Sequence, residues 1–238
     1  MSQDRGRIIL FPVPMGDVSP AQVLPASNIR MLAGVRHFVV ENIRSARRFL
    51  RAAISDFDID GSSFTELSEH TPEADVVAML APALEGSDIG VISEAGCPAV
   101  ADPGADLVAA AQRVGLEVVP LVGPSSIIMS LMGSGFNGQQ FSFDGYLPID
   151  AEARRTALRR IEADVRKTVR THIFIETPYR NNRLIAEMTR TLSPHIQLCV
   201  ASDISGPRQS IRTMAISAWA KASYDYDKIP TIFLLGNS

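Results

Sequence analysis

Short apolar runs that alternate with helical patterns are the feature that most constrains this chain. In the first half the runs are RIILFPV, RHFVVE, DIGVIS and LEVVPL. Between them, apolar residues recur at helical spacing near Pro20–Ala33 and Ile43–Ala53, after Thr71-Pro72-Glu73, and after Gly104. This β-α-β alternation is typical of parallel strands covered by helices. We therefore predict an α/β fold.

The pattern changes after Gly133–Gly138 and starts a second series. Its strand-like runs are FSFDGYL, THIFIE, IQLCVAS and IPTIFLLG, with helices near Glu152–Lys167 and Arg180–Leu192. A length of 238 residues accommodates two modest cores, because domains usually hold about 100–200 residues. We predict two α/β domains, residues 1–137 and 138–238, joined without a long linker.

The charge distribution allows a polyanionic partner only at local patches. The net charge is −3, yet thirteen of the 23 Lys and Arg residues fall in Arg30–Arg51 and Arg154–Arg170. Such basic stretches bind phosphates or simply form solvated helix faces, and the sequence leaves both open.

Cysteine, histidine and apolar patterns favour a reduced, unexported protein without a metal. Cys97 and Cys199 stand in no CxxC or histidine-rich setting, and the four histidines show no ligand spacing. The N-terminus has no apolar signal region, and no apolar run reaches the roughly 20 residues of a membrane span. We expect a soluble, cytoplasmic protein.

Two segments of the first half concentrate glycine, proline and small residues where predicted strands end. Pro12–Asp17 follows the first strand, and its two prolines suit van der Waals contact with a ligand better than phosphate binding. Ser93–Gly104 follows DIGVIS and places two acids among small residues that let a ligand approach the backbone. The alternatives are a plain turn for the first segment and, for the second, a loop in which Asp102 caps the next helix.

Two further segments lie at predicted helix starts. Gly123-Pro124-Ser125-Ser126 offers hydroxyl and N–H groups to a carboxylate or a ribose hydroxyl, or Ser125 merely caps its helix. Glu176–Arg180 ends a strand of the second half, and its alternative is a strand-to-helix turn with Thr177 at the cap and Pro178 following it. A GxGxxG match at Gly133–Gly138 follows a helix and precedes a strand, which is the reverse of the dinucleotide-binding order.

Together these segments resemble the tetrapyrrole methylase superfamily, and within it the branch that methylates a cytidine ribose 2′-oxygen in bacterial small-subunit ribosomal RNA. The branch's SDAGTP and DPG motifs are similar to SEAGCPAVADPG at Ser93–Gly104, and its proline-glycine-proline-serine helix start is similar to VGPSS at Val122–Ser126. Supporting matches are SGF at Ser134–Phe136, GYLP at Gly145–Pro148, ENIR at Glu41–Arg44, and His70.

The resemblance implies two α/β domains with S-adenosylmethionine in the cleft between them, in a homodimer. The residues that it implies as cofactor contacts are Pro14, Met15, Ser93, Glu94, Ala95, Gly96, Cys97, Val100, Ser125, Ser126, Glu176, Thr177, Ala201, Pro230 and Thr231.

Methyl transfer to a ribose hydroxyl also requires removal of a proton. Within the matched segments the candidate bases are Glu41, Glu94, Asp102 and His70. An RNA acceptor would give the two basic clusters a purpose as phosphate contacts. The order of these candidates stays open.

The chain departs from the RNA branch mainly on the substrate side. Glu41-Asn42 replaces an acid pair, Glu94 and Cys97 replace Asp and Thr, and Ala201–Ser210 lacks the branch's basic run. Longer members also continue beyond this C-terminus. Methylation of a tetrapyrrole or another small acceptor is therefore the alternative activity, and a non-catalytic cofactor-binding or ribosome-binding protein is the alternative from another class.

Overall fold

The computed structural model describes residues 5–237, so residues 1–4 and 238 of the two predicted domains lie outside it. The chain divides into two compact units, one ending at Ser125 and the other beginning at Ser126. Within the described residues, no helix is both long and apolar enough to cross a bilayer.

The first unit is a five-stranded parallel sheet with helices. In chain order its elements are β1 (Ile8–Leu10), α1 (Pro20–Val23), α2 (Ala26–Leu32), β2 (His37–Val40), α3 (Ile43–Ala53), β3 (Ser63–Glu66), α4 (Glu73–Ala78), α5 (Ala81–Leu84), β4 (Ile89–Ile92), α6 (Gly104–Arg113) and β5 (Val118–Pro120). The strand order is β3-β2-β4-β1-β5, and every pairing is parallel. Ile8 and Ile9 of β1 and Leu50 of α3 are fully buried, as expected of a sheet covered on both faces.

The second unit holds a mixed sheet. Its elements are α7 (Ser126–Ser134), β6 (Phe141–Tyr146), α8 (Ala151–Thr168), β7 (Thr171–Ile175), a 3₁₀ turn (Pro178–Arg180), α9 (Asn181–Thr191), β8 (Gln197–Ser202), β9 (Ser210–Ala215), α10 (Ile216–Trp219) and β10 (Thr231–Gly236). The strand order is β6-β7-β10-β8-β9. Only the β6–β7 pair is parallel; the other three pairs are antiparallel.

The α/β prediction is confirmed, and several elements differ from the predicted ones. The helix predicted over Pro20–Ala33 is two helices, because Pro25 cannot continue a helix from the preceding turn. Strands β3 and β9 were not predicted. Both are edge strands with largely exposed or half-exposed side chains, so they lack a strong apolar pattern.

Helix α7 lies in the second unit, ahead of the predicted boundary at residue 137. Thr213 of β9 donates a hydrogen bond to the carbonyl oxygen of Ser134 over 2.7 Å. A Cβ at Gly133 would come within 2.6 Å of Ile211 Cδ1, so the helix backbone lies directly on β9. The division into domains 1–137 and 138–238 stays a prediction.

Candidate functional site

The carboxyl edge of the first sheet brings several predicted segments together. Strands β1, β2, β4 and β5 are parallel, so their carboxyl ends share one edge. Pro12–Asp17 follows β1, Glu41 follows β2, Ser93–Gly104 follows β4, and Gly123–Ser126 follows β5 after two residues. Open α/β sheets bind ligands at this edge.

Three of these segments meet at Gly96. The backbones of Val13 and Gly96 pair in an antiparallel bridge with N···O distances of 2.9 and 3.1 Å. Gly96 has φ +71°, and a Cβ there would lie 3.5 Å from the Pro124 carbonyl oxygen and 3.7 Å from Met15 Sδ. A residue without Cβ therefore leaves a small recess beside Met15 and Pro124.

Cys97 and Gly123 strengthen the same junction. The Cys97 thiol lies 3.3 Å from the carbonyl oxygen of Pro124, within reach of a weak hydrogen bond. Burial raises the pKa of this thiol, so it stays protonated near neutral pH. A Cβ at Gly123 would overlap the Pro12 ring. Glycine at this position lets the third segment approach the first.

The Ser93–Gly104 loop has a constrained backbone that Asp102 supports. Ala99 and Ala101 have φ values of 64° and 60°, a region that alanine enters only at a cost. Asp102 Oδ1 accepts hydrogen bonds from the N–H of Ala99 over 3.0 Å and of Gly104 over 2.7 Å. Gly104 is the first residue of α6, so the capping contact predicted as the alternative for Asp102 is present.

Glu41 also supports this loop. Its Oε2 accepts a hydrogen bond from the Glu94 backbone N–H over 2.9 Å. Glu41, Ser93 and Asp102 line one cavity of about 10 Å³, which is room for about one water molecule. Two of the candidate bases, Glu41 and Asp102, therefore line the same cavity.

His70 does not share this cavity. It lies in an exposed turn, where its backbone N–H donates to Ser68 Oγ over 3.3 Å. Among the described residues, His70 therefore does not line the cavity that Glu41 and Asp102 share.

The predicted cofactor contacts of the first unit differ in exposure. Glu94, Ala95 and Val100 are exposed, while Ser93 and Gly96 are buried; the half-buried ones are Pro14, Met15, Cys97 and Ser125. A ligand on this edge would meet exposed loop backbone and the Met15 thioether.

The second sheet gathers the remaining predicted contacts at one end. Ile232 of β10 pairs with Ile175 of β7 on one side and with Ala201 of β8 on the other. Glu176 and Thr177 directly follow β7, and Pro230 and Thr231 lie at the start of β10. Strand register therefore places five predicted residues together, although Ala201 is fully buried. The sixth contact of this unit, Ser126, is half-buried at the start of α7.

Glu176 is held inside its own turn. It is 8% exposed, and its Oε1 accepts from the Thr177 N–H over 2.6 Å and from Arg180 Nη2 over 2.7 Å. Thr177 precedes the 3₁₀ turn, with Pro178 as its first residue. The strand-to-turn alternative predicted for this segment is therefore present.

The chain is similar to known methyltransferases both in sequence and in fold. No protein-family model matches the chain. It is 29% identical over 210 residues to "Ribosomal RNA small subunit methyltransferase I" of Vibrio cholerae, covering 88% of this chain and 69% of that protein. Among solved structures it is similar to the methyltransferase CobJ, with a TM-score of 0.65, 17% identity and coverage of 98% and 95% of the two chains. A uroporphyrin-III-C-methyltransferase from Thermus thermophilus superposes with a TM-score of 0.53 and 16% identity over 98% of this chain and 92% of that one.

The chain has the tetrapyrrole methylase fold. The resemblance inferred from the motifs, including that to the small-subunit ribosomal RNA branch, is confirmed by these similarities. In this fold the motif SEAGCPAVADPG is the loop after β4, and VGPSS lies between β5 and α7.

Sequence reasoning missed two buried polar residues at these edges. Asn28 of α2 is 5% exposed and its side chain donates to the Val122 carbonyl oxygen over 2.8 Å, fixing the segment before Gly123. Asp203, in the turn after β8, donates its N–H to the Pro230 carbonyl oxygen over 2.9 Å. The role of Asn28 could have been predicted from a polar residue on a predicted helix, since a buried polar side chain needs a hydrogen-bond partner. The role of Asp203 could not have been predicted, because strand β9 was not.

No group of three or more His, Cys, Asp or Glu side chains suited to a metal ion exists among residues 5–237.

Proposed function

We propose that this chain is an S-adenosylmethionine-dependent methyltransferase whose acceptor is a ribose 2′-hydroxyl of small-subunit ribosomal RNA. The observation that carries the proposal is the meeting of Met15, Gly96 and Pro124 at the carboxyl edge of the first sheet. These residues come from three segments that were predicted separately as cofactor contacts. The similarity to the Vibrio cholerae protein along 88% of this chain supports the same activity.

The residues at this junction fit the cofactor. The exposed Ala95 and the recess at Gly96 leave backbone groups accessible, and the half-buried Met15 supplies an apolar, polarisable surface. In this proposal Pro14, Met15, Ser93–Cys97, Val100 and Ser125 bind from the first unit, and Ser126, Glu176, Thr177, Ala201, Pro230 and Thr231 from the second. When bound, S-adenosylmethionine supplies an activated methyl group, which the protein's side chains cannot provide.

The chain's own contribution is to position the acceptor and remove its proton. Positioning at near-attack distance supplies much of the acceleration in such transfers. Glu41 and Asp102 each use one carboxylate oxygen to hold the loop. Within the described residues the second oxygen of each accepts no hydrogen bond, so it is available to an acceptor hydroxyl. We propose one of these two carboxylates as the base, ahead of His70, which does not line their cavity.

Methylation of a tetrapyrrole or another small acceptor is the second candidate. It is supported by the structural similarity to the Thermus thermophilus protein, which is named a uroporphyrin-III-C-methyltransferase and superposes on 98% of this chain. A protein that binds the cofactor without turnover is the candidate from another class. Substitution of Glu41 or Asp102 separates it from the enzymes, because no methyl transfer would exist to be lost.

The proposal also assigns a homodimer and a cytoplasmic location. The dimer follows from the resemblance, and sedimentation velocity of the purified chain tests it. The cytoplasmic location follows from a ribosomal RNA acceptor.

Calorimetric titration with S-adenosylmethionine and S-adenosylhomocysteine tests the cofactor assignment, with NAD and ATP as controls. Micromolar binding of the first two alone is the expected result. No binding to a folded sample would overturn the methyltransferase proposal.

A further inference from the structure

Helix α3 presents a row of arginines that the proposed cofactor site does not use. The row consists of Arg44, Arg47, Arg48 and Arg51, whose successive sequence positions differ by three, one and three. At 3.6 residues per turn these positions fall within about 100° of the helix surface. Ala46 and Leu50 lie on the opposite face and are buried. We call these four residues the arginine row.

The arginine row shares its groove with one carboxylate, that of Glu66, which accepts a hydrogen bond from the Ile43 backbone N–H over 3.0 Å. Within residues 5–237, none of its four guanidinium groups forms an ion pair with a carboxylate. Like charges at i,i+3 and i,i+4 destabilise a helix by about 0.2–0.5 kcal/mol per pair. Arg47 lies over the Phe64 ring, but the other three arginines have no ion-pair partner among the described residues that would offset this repulsion.

The other basic helix, α8, differs in this respect. Arg154 pairs with the buried Glu187, and Arg155 pairs with Glu152. Arg166 pairs with Glu162 over 2.8 Å, and Arg170 lies 3.6 Å from Asp164. Three of the six basic residues of α8, and Arg170 just after it, are therefore neutralised within the second unit. The two clusters look alike in sequence, and the structure distinguishes them.

The surroundings of the arginine row fit an extended polyanion. An open groove of about 600 Å³ is lined by the four arginines together with Asn42 and Glu66. Arg47 is held 5.0 Å above the Phe64 ring. Helix α3 begins two residues after Glu41, at the same sheet edge as the Glu94 and Asp102 loop.

We propose that the arginine row is the docking surface for the RNA backbone, and that α8 is not. The inference rests on the proposed function, because it takes RNA as the acceptor. Arginine suits the role, since its planar fork binds phosphate oxygens in pairs and its cation is weakly hydrated. Phosphate contacts position an RNA without reading its sequence, and from α3 they would orient the strand toward Glu41.

The test compares two matched triple variants. Arg44→Gln/Arg48→Gln/Arg51→Gln removes three charges from α3 and leaves Arg47 on Phe64. The control Arg159→Gln/Arg160→Gln/Lys167→Gln removes three exposed charges from α8 and breaks none of its ion pairs. Both carry the same net charge, so a general electrostatic effect would act on them equally.

The probe is a protein-free small-subunit ribosomal RNA transcript, titrated by fluorescence anisotropy at several salt concentrations. We expect the α3 variant to lose about 10- to 100-fold in affinity and its log–log salt slope to fall by about two to three. The α8 control should stay within about threefold of wild type. Equal losses in both variants, or wild-type binding by the α3 variant, would overturn the proposal.

Two further measurements separate this inference from the proposed function. S-adenosylmethionine binding is titrated on the same samples, and we expect it unchanged in both variants. Wild-type RNA binding that the α3 variant retains would overturn the inference alone. A wild-type protein that binds the cofactor but not the RNA would overturn the RNA acceptor together with the inference, and one that binds neither would overturn the methyltransferase proposal as well. Binding to anionic phospholipid vesicles that depends on the arginine row, without RNA binding, would assign the row to a membrane surface. Should the triple variant not fold, Arg44→Gln and Arg51→Gln singly should each lower the slope by about one.

Discussion

The carboxylate of Glu41 accepts a hydrogen bond from the backbone N–H of Glu94 over 2.9 Å, which ties the end of β2 to the loop after β4. The contact gives Glu41 a positioning role in addition to the proposed role as a base. Two substitutions separate these roles, because glutamine keeps an oxygen that can accept the hydrogen bond and alanine does not.

We predict that Glu41→Gln retains wild-type affinity for S-adenosylmethionine and loses about 10²- to 10⁴-fold in the rate of methyl transfer, the usual contribution of a general base. Glu41→Ala should lose the rate and also weaken cofactor binding. Single-turnover transfer and calorimetry measure the two effects. A fully active Glu41→Gln variant would leave Glu41 with the positioning role alone and point to Asp102.

Gly96→Ala tests the recess at the junction of the three segments. Gly96 has φ +71°, and Gly115, between α6 and β5, has φ +70°. Alanine at either position should cost about 1–2 kcal/mol of stability, because both require the left-handed region. Only at Gly96 would the new methyl group meet Met15 and Pro124; at Gly115 it meets nothing within 4 Å. We expect Gly96→Ala alone to weaken cofactor binding, and equal affinity in both variants would contradict the assignment of this recess.

We predict that His172 makes the stability of the second unit depend on pH. Its ring lies 2.7 Å from Asp144 and 2.8 Å from Asp164. Burial lowers the pKa of the imidazole, but the hydrogen bonds to both carboxylates outweigh it, and the net pKa is raised. The folded pKa is therefore above the unfolded value of about 6.5. The stabilisation is complete below that pH and is lost as pH rises through the folded pKa.

Urea unfolding from about pH 5.5, below the unfolded pKa of about 6.5, up to about pH 9 measures this dependence. The wild-type free energy of unfolding should fall across the range, and His172→Gln should have a flatter profile. Parallel profiles for the two proteins would show that His172 does not contribute to the pH dependence.

The buried pair of Arg154 and Glu187 should depend strongly on both partners. Their side chains are 6% and 10% exposed, with a closest N···O distance of 2.7 Å. Arg154→Met would leave Glu187 buried without its cation, at a cost of about 3–5 kcal/mol, and Arg154→Met/Glu187→Leu should recover most of it. Arg113→Met, which breaks the exposed pair with Glu73, should cost less than about 1 kcal/mol. Thermal unfolding of the single and double variants measures these costs. A double variant as unstable as Arg154→Met would contradict the prediction.

The sequence predicted the elements whose apolar pattern is strong. Helix α3 was predicted over Ile43–Ala53 and has those bounds, because its buried and charged faces are fully segregated. The mixed pairing of the second sheet was not predicted, since the edge strand β9 alternates only weakly and follows β8 through a short turn. Motif positions could be predicted individually, but their meeting at Gly96 required the strand order β4-β1-β5.

The difference in ion pairing between the two basic helices could not be predicted from the sequence. The sequence shows arginines on both α3 and α8. The structure shows that Glu187, on another helix, neutralises Arg154. Long-range partners of this kind have no local signature in the sequence.

The most direct test of the central claim is methyl transfer from radiolabelled S-adenosylmethionine to undermethylated small-subunit ribosomal RNA, followed by digestion to nucleosides. We expect label in a 2′-O-methylated nucleoside, and we expect that label to be lost in the Glu41→Gln/Asp102→Asn variant. A folded, cofactor-binding protein that labels a tetrapyrrole instead, or labels neither acceptor, would contradict it.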